Sequence, residues 1–121
     1  MNAKEEIRTY RMSKFLPKPS IEGAINGTVP PEIVRGFTVT AGLPPKTGLG
    51  EMLECDMFFE GGMFRFTTWI NNEHVEAGKV SWSLGSSINP LPVGSQVSLV
   101  SRISQDDPIS SDIQTYKVVA S

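Results

Sequence analysis

The stretch MFFEGGMFRF, residues 57–66, constrains the fold more than any other part of this chain. Two adjacent glycines lie between runs in which apolar and polar side chains alternate, and that period is typical of half-buried strands. Tight turns between antiparallel strands need positive φ, which glycine adopts readily. The sequence therefore predicts a β-hairpin that reverses at Gly61-Gly62. A phosphate-binding loop is excluded because such a loop leads into a helix, whereas a second strand pattern follows here.

Folding the chain at the two glycines predicts which residues face each other across the hairpin. Phe59 is expected opposite Phe64, and Phe58 opposite Arg65, close enough for a cation–π contact. One face of the hairpin is then almost wholly apolar and the other is mixed. A shift by one residue would place acidic side chains in the apolar face, so the register is strongly specified. The outer, mixed face carries four candidate partner-binding residues: Phe58, Met63, Arg65 and Trp69.

Strand-like alternation recurs along the rest of the chain. It is clear at residues 33–42, 75–84, 95–103 and 112–120, and weaker at 20–28. Loops rich in proline and glycine, and the polar turn at Asn71–His74, separate these runs. Several short strands at this spacing predict an all-β fold, a single-domain antiparallel β-sandwich or partly closed barrel of about seven strands. Residues 52–84 are expected to form a three-strand meander, and the later connections are long enough to cross between sheets.

The charge is distributed unevenly. Residues 1–18 carry five bases and two acids, whereas the remainder carries six bases and eleven acids. We predict an N-terminal basic arm over residues 1–19, followed by the β domain over residues 20–121. The arm is expected to contact the acidic body of a neighbouring copy, or to contact nucleic acid. The plainer alternative is that it remains a solvated terminus. Its candidate contact residues are Arg8, Tyr10, Arg11 and Lys14.

The residues that catalysis usually requires are scarce. Cys55 and His74 are the only residues of their types, and neither a serine-nucleophile motif nor a metal-ligand spacing is found. We therefore predict that the protein is not an enzyme and has no cofactor or metal, with His74 in a surface turn. A small enzyme that uses His74 is one alternative. No apolar run reaches 18 residues and the N-terminus has no secretory pattern, so we expect a cytoplasmic or virion-associated protein without a membrane partner, or a mature chain whose signal has been removed.

Two long loops, residues 42–50 and 86–94, are candidate recognition loops, because binding residues often lie on such segments. The candidate recognition residue of the first loop is Lys46. Those of the second loop are Ile88 and Leu91, which are expected to be exposed. The plainer interpretation is that both are connections whose prolines only stiffen them.

These features favour a non-catalytic protein-binding or assembly protein that associates with its own copies or with a protein partner. Small structural, decoration and inhibitor proteins of viruses and mobile elements act in this way. The alternative is a single-stranded nucleic-acid-binding β-barrel in which Phe58, Arg65 and Trp69 stack bases and the arm contacts phosphates. Acidic residues on the same face count against it, because they would repel phosphates: Glu54, Asp56 and Glu60.

Overall fold

The structure, a computed structural model, describes residues 16–32, 37–84, 90–104 and 108–120. These residues form two open β-sheets that pack face to face, with one short helix. The predicted all-β, sandwich-like domain is confirmed. The described residues contain nine strands, and two of them, with two residues each, are too short for an alternation pattern to reveal.

The smaller sheet has the order β1-β3-β6 and is antiparallel throughout. It consists of β1 (Ser20–Glu22), β3 (Thr38–Gly42) and β6 (Lys79–Ser83). The larger sheet has the order β2-β9-β7-β4-β5, with β8 also paired to β7, and its β2–β9 pair is parallel. It consists of β2 (Thr28–Val29), β4 (Met52–Phe59), β5 (Gly62–Trp69), β7 (Gln96–Ser104), β8 (Ile109–Ser110) and β9 (Gln114–Val118). Helix α1 spans Asn72–Ala77.

Alternate residues from both sheets form the core between them. The buried set is dominated by the inward positions of β3, β4, β7 and β9. Two polar contacts also link the sheets: the Ile21 N–H donates to Tyr116 Oη at 3.0 Å, and Trp82 Nε1 donates to Thr68 Oγ1 at 2.9 Å. The fully buried residues with the largest side chains are Leu53, Met57, Leu99, Ile103, Val29, Val39, Val97 and Val118.

The hairpin is confirmed, but its predicted register is wrong by two residues. The loop is Glu60-Gly61, with Gly61 at φ +97°, and Phe59 pairs with Gly62. A Cβ on Gly62 would lie 3.3 Å from the Phe59 ring, so glycine lets that ring cover the opposite strand. A slip of two residues keeps every side chain on its predicted face, because side chains alternate with a period of two. The pairs nevertheless change, and Arg65 lies opposite Asp56 instead of Phe58.

The predicted three-strand meander is also wrong. After β5 the chain forms α1 and then joins the other sheet, where β6 pairs with β3. Residues 71–74, expected as a turn, begin this helix, and the strand expected over 75–84 is shortened to β6. A helix of six residues is too short to show an amphipathic period, so the hydrophobic pattern does not reveal it. No helix among the described residues is long and apolar enough to cross a membrane.

Two segments assigned to loops or to the arm contribute to the core. Leu91, predicted to be exposed, is buried, and its N–H donates to the Pro31 carbonyl at 2.8 Å. It packs with the apolar side chains of β7 and β9, and this burial overrides the turn-forming prolines beside it. Leu16 and Pro19, in the segment assigned to the arm, are buried as well. The described part of that segment is therefore packed against the domain.

Candidate functional site

The outer face of the β4–β5 hairpin holds the residues that the sequence singled out, and its centre is occupied by ion pairs. Arg65 donates through Nε to Asp56 Oδ1 at 2.8 Å and through Nη2 to Oδ2 at 3.2 Å. This hydrogen bonding, followed by the charges of Asp56 and Glu54, raises the pKa of Arg65 above its ordinary value. One row along, Arg102 Nη2 donates to Glu54 Oε2 at 2.8 Å. The two arginines and two carboxylates therefore satisfy one another within the face.

The predicted cation–π contact between Phe58 and Arg65 is replaced by this arrangement. Phe58 faces Met63 across the hairpin, and the Arg65 guanidinium is oriented by both oxygens of Asp56. A bidentate arginine–carboxylate pair fixes the guanidinium plane. Arg65 therefore presents to solvent a cation whose charge is already compensated.

Exposed apolar residues lie at the two ends of the hairpin face. Phe58 and Met63, 44% and 40% exposed, form the pair next to the loop. Trp69, 65% exposed, pairs with Met52 at the other end. At the rise of a β-strand, the six residue-to-residue steps from Met63 to Trp69 span about 20 Å. Of the four predicted outer-face residues, Phe58, Met63 and Trp69 thus form two apolar patches, and Arg65 belongs to the ion pairs between them.

The inner face near the loop carries a chain of aromatic rings. The centroids of Phe59 and Phe64 are 5.5 Å apart, those of Phe64 and Phe66 6.4 Å, and those of Phe66 and Trp82 5.7 Å. Phe64 is still 36% exposed, because the smaller sheet does not cover the end of the hairpin. Tilted ring pairs at these distances stabilise one another and hold the hairpin end rigid.

The free edge of β5 is the feature that sequence reasoning missed. Ile70 donates its N–H to the Glu51 carbonyl and accepts from the Gly50 N–H, both at 2.9 Å, so even-numbered residues here direct their backbone groups towards β4. By alternation, the backbone groups of odd-numbered residues point away from β4. In the part of the chain that the structure describes, no strand pairs with this side. Four residues present it: Met63, Arg65, Thr67 and Trp69.

Several other candidates are placed elsewhere. Arg8, Tyr10, Arg11, Lys14 and Ile88 lie outside the described residues. Lys46 is exposed in the loop that follows β3, at φ +57°, and that loop packs against Ile70 at the end of the hairpin that carries Trp69. Lys46 is therefore not part of the Phe58–Met63 patch.

His74 has a local structural contact. The Asn71 side chain accepts from the His74 N–H at 3.0 Å, and His74 Nδ1 accepts from the Asn71 N–H at 3.1 Å, which completes a capping box at the start of α1. Such reciprocal bonds satisfy N–H groups that a helix leaves unpaired. One imidazole nitrogen is thus used to cap the start of the helix.

An open apolar groove of about 370 Å³ lies far from the hairpin edge, between the β1–β2 turn and the end of β9. Gly23, Ile25, Val29, Phe37 and Val119 contribute to its lining. Among the described lining residues none is charged, and the one hydroxyl, that of Thr28, donates to the Ile25 carbonyl at 2.6 Å. The groove therefore lacks the several converging polar groups that orient a bound small molecule.

Comparison of the sequence with protein-family models and with curated proteins, and of the fold with solved structures, finds no significant match. The geometry of the hairpin and its edge therefore carries the functional argument.

Proposed function

We propose that this protein is a non-catalytic binding or assembly protein that associates with another protein chain, or with its own copies, through the hairpin and the free edge of β5. The observation that carries the proposal is the edge of the eight-residue strand β5, whose outward side pairs with no strand among the described residues and is bordered by exposed Phe58, Met63 and Trp69. An extended segment added to such an edge gains main-chain hydrogen bonds, and the neighbouring apolar side chains gain burial.

The electrostatics of the face favour a protein partner over nucleic acid. The guanidinium of Arg65 is engaged by Asp56, and Glu54 lies on the same face. A phosphate backbone would have to displace these carboxylates or lie beside them, which costs free energy. We also propose the location expected for small assembly or decoration proteins, the cytoplasm or a virion.

Site-specific photocrosslinking tests the proposal. A photoreactive phenylalanine analogue is introduced at Phe58 and, as a matched control, at Ile113, which is exposed outside the hairpin. In the cells that make the protein, we expect a protein adduct from position 58, of this chain or of another, and none from position 113. Equal adducts at both positions, or none at 58, would contradict the proposal. Adducts to nucleic acid at 58 would support the nucleic-acid-binding alternative instead.

A further inference from the structure

The edge of β5 differs from the other sheet edges of the described residues in length and chemistry. The outer strands β1 and β2 have three and two residues, and β6 has five, beginning with Lys79. Strand β5 has eight residues with neither proline nor lysine, and its charged residue, Arg65, is held by Asp56. Proteins usually protect a free edge with short strands, proline or lysine. An edge that lacks these protections is suited to pairing.

We propose that the strand that pairs with this edge is β5 of a second copy, antiparallel, with a twofold axis through Phe66. This inference rests on the proposed function and specifies its partner. A twofold axis perpendicular to the sheet keeps both outer faces on the same side, and it pairs each residue with one of the same parity. The two larger sheets then form one continuous sheet across the dimer.

The self-complementarity of the sequence selects this register. Centred on Phe66, Met63 lies opposite Trp69 of the second copy, and Arg65 lies opposite Thr67 of the second copy. All four outward-facing residues of each copy are then used, and their N–H groups donate about eight hydrogen bonds in total. Met63 and Trp69 are exposed in the single chain. In the dimer Met63 of each copy covers Trp69 of the other, so the contact is made twice. No two like charges are directly opposed.

Neighbouring registers are less favourable. Centring on Arg65 places the two arginines opposite each other, and like charges directly opposed destabilise a sheet. Centring on Thr67 moves Met63 opposite Asn71, which is the cap of α1 and lies beyond the strand. Only the Phe66-centred pairing joins the four outward residues of β5 with one another.

One backbone group on this edge, the Thr67 carbonyl, already accepts a hydrogen bond within the chain. Trp82 Nε1 donates to Thr68 Oγ1 at 2.9 Å, and Thr68 Oγ1 donates to the Thr67 carbonyl at 2.7 Å. A carbonyl oxygen accepts two hydrogen bonds, so this one keeps a site for the second copy.

Sedimentation velocity of the full chain tests the inference through Thr67. The Thr67→Pro substitution removes an outward N–H without removing a bond to β4, and a proline is tolerated at such an edge position. We expect the wild-type chain and the Thr67→Ala control to have twice the chain mass of 13.2 kDa. We expect Thr67→Pro to raise the dimer dissociation constant at least tenfold. A wild-type chain that stays monomeric at about 100 µM, or a Thr67→Pro chain with an unchanged dissociation constant, overturns the inference.

A charge-pair design tests the register even if the proline variant fails to fold. Met63→Lys and Trp69→Glu should each weaken the dimer, because each removes an apolar contact made twice. The double variant should recover most of the lost affinity, because the two introduced charges are opposite and directly facing across the axis. Additive loss in the double variant would overturn the register. A monomeric chain that still crosslinks through position 58 to a different protein would remove this inference and leave the proposed function standing.

Discussion

At the scale of single residues, two buried serines, Ser101 in β7 and Ser111 directly after β8, have opposite surroundings. Ser101 Oγ has no hydrogen-bond partner among the described residues, whereas Ser111 Oγ accepts from the Ser101 N–H at 2.9 Å and donates to the Asp112 carbonyl at 2.9 Å. A buried polar group without a hydrogen-bond partner lowers the stability of the fold. When a buried group has a partner, removing that partner leaves the group unsatisfied and lowers the free energy of unfolding. The two hydroxyls should therefore respond differently to removal.

We expect Ser101→Ala to leave the free energy of unfolding unchanged or to raise it by about 1 kcal/mol, because it removes an unsatisfied hydroxyl. The matched change Ser111→Ala should lower it by about 1–3 kcal/mol, because the buried Ser101 N–H loses its acceptor. Urea denaturation measures both. A loss of more than about 1 kcal/mol in Ser101→Ala would mean that this hydroxyl has a partner after all.

Cys55 gives a prediction for pH. Burial, with a smaller contribution from the charge of Asp56, raises the pKa of its thiol from 9.0 to about 12. Between these values the unfolded chain loses the thiol proton while the folded chain keeps it, so stability is complete below pH 9 and falls as the pH rises towards 12. The slope contributed by this one group approaches about 1.4 kcal/mol per pH unit. The difference in unfolding free energy between wild type and Cys55→Ala should shrink across this interval; a constant difference would contradict the account.

At the scale of secondary-structure elements, α1 depends on its caps because six residues bury no side chain completely. Asn71 and His74 satisfy each other's N–H groups at its start, and Gly78 ends it in the left-handed conformation at φ 72°. This short helix carries the chain from β5 to β6, and thus from one sheet to the other.

We expect Asn71→Ala to lower the free energy of unfolding by about 1 kcal/mol. His74→Ala should lower it by a smaller amount, and His74→Gln should restore it, because glutamine at this position also accepts from the cap N–H. Thermal denaturation compares the three variants. If His74→Gln is as destabilised as His74→Ala, the role of His74 is not that of a capping acceptor.

The longer strands and their faces were predictable from the sequence, but the two-residue strands, the exact bounds and the pairing partners were not. The alternation of Leu53, Cys55 and Met57 with polar neighbours gives the buried face of β4 directly, and that face survives a two-residue error in register. The register itself depends on how the Phe59 ring covers Gly62, which is a tertiary contact. Strand β5 lies at a sheet edge because α1 connects it to β6, which pairs with β3 in the other sheet and not with β5. The sequence therefore predicted the side chains of the candidate site, but it did not predict that the backbone of β5 lies at a free sheet edge.

At the scale of the whole molecule, Trp82 connects the two sheets and the two halves of the core. The buried apolar residues form two clusters, one that includes Val39 and Met57 and one that includes Leu53 and Ile103, and Trp82 packs against both. Its ring also contacts Phe66, and its Nε1 donates to Thr68 in β5. The other tryptophan, Trp69, projects into solvent from the opposite face of β5. Trp82 is therefore expected to contribute to the stability of the fold, and Trp69 to contacts at the surface.

We expect Trp82→Phe to lower the free energy of unfolding by about 1 kcal/mol through loss of one hydrogen bond, and Trp82→Ala to lower it by about 3 kcal/mol or more. Trp69→Phe, measured at a dilution where the chain is monomeric, should change it by less than about 0.5 kcal/mol. Denaturation with guanidinium compares the variants. Similar losses at both positions would contradict the assignment of Trp82 to the core and Trp69 to a contact surface.

Amide hydrogen exchange at β5, measured at several protein concentrations, tests the pairing of its free edge most directly. The amides of Phe64, Phe66 and Thr68 are directed to β4 and should exchange slowly at every concentration. The outward amides of Met63, Arg65, Thr67 and Trp69 should exchange rapidly in dilute solution and become protected as the concentration rises. Rapid exchange of these four amides at all concentrations, with the β4-directed amides still protected, would contradict the account.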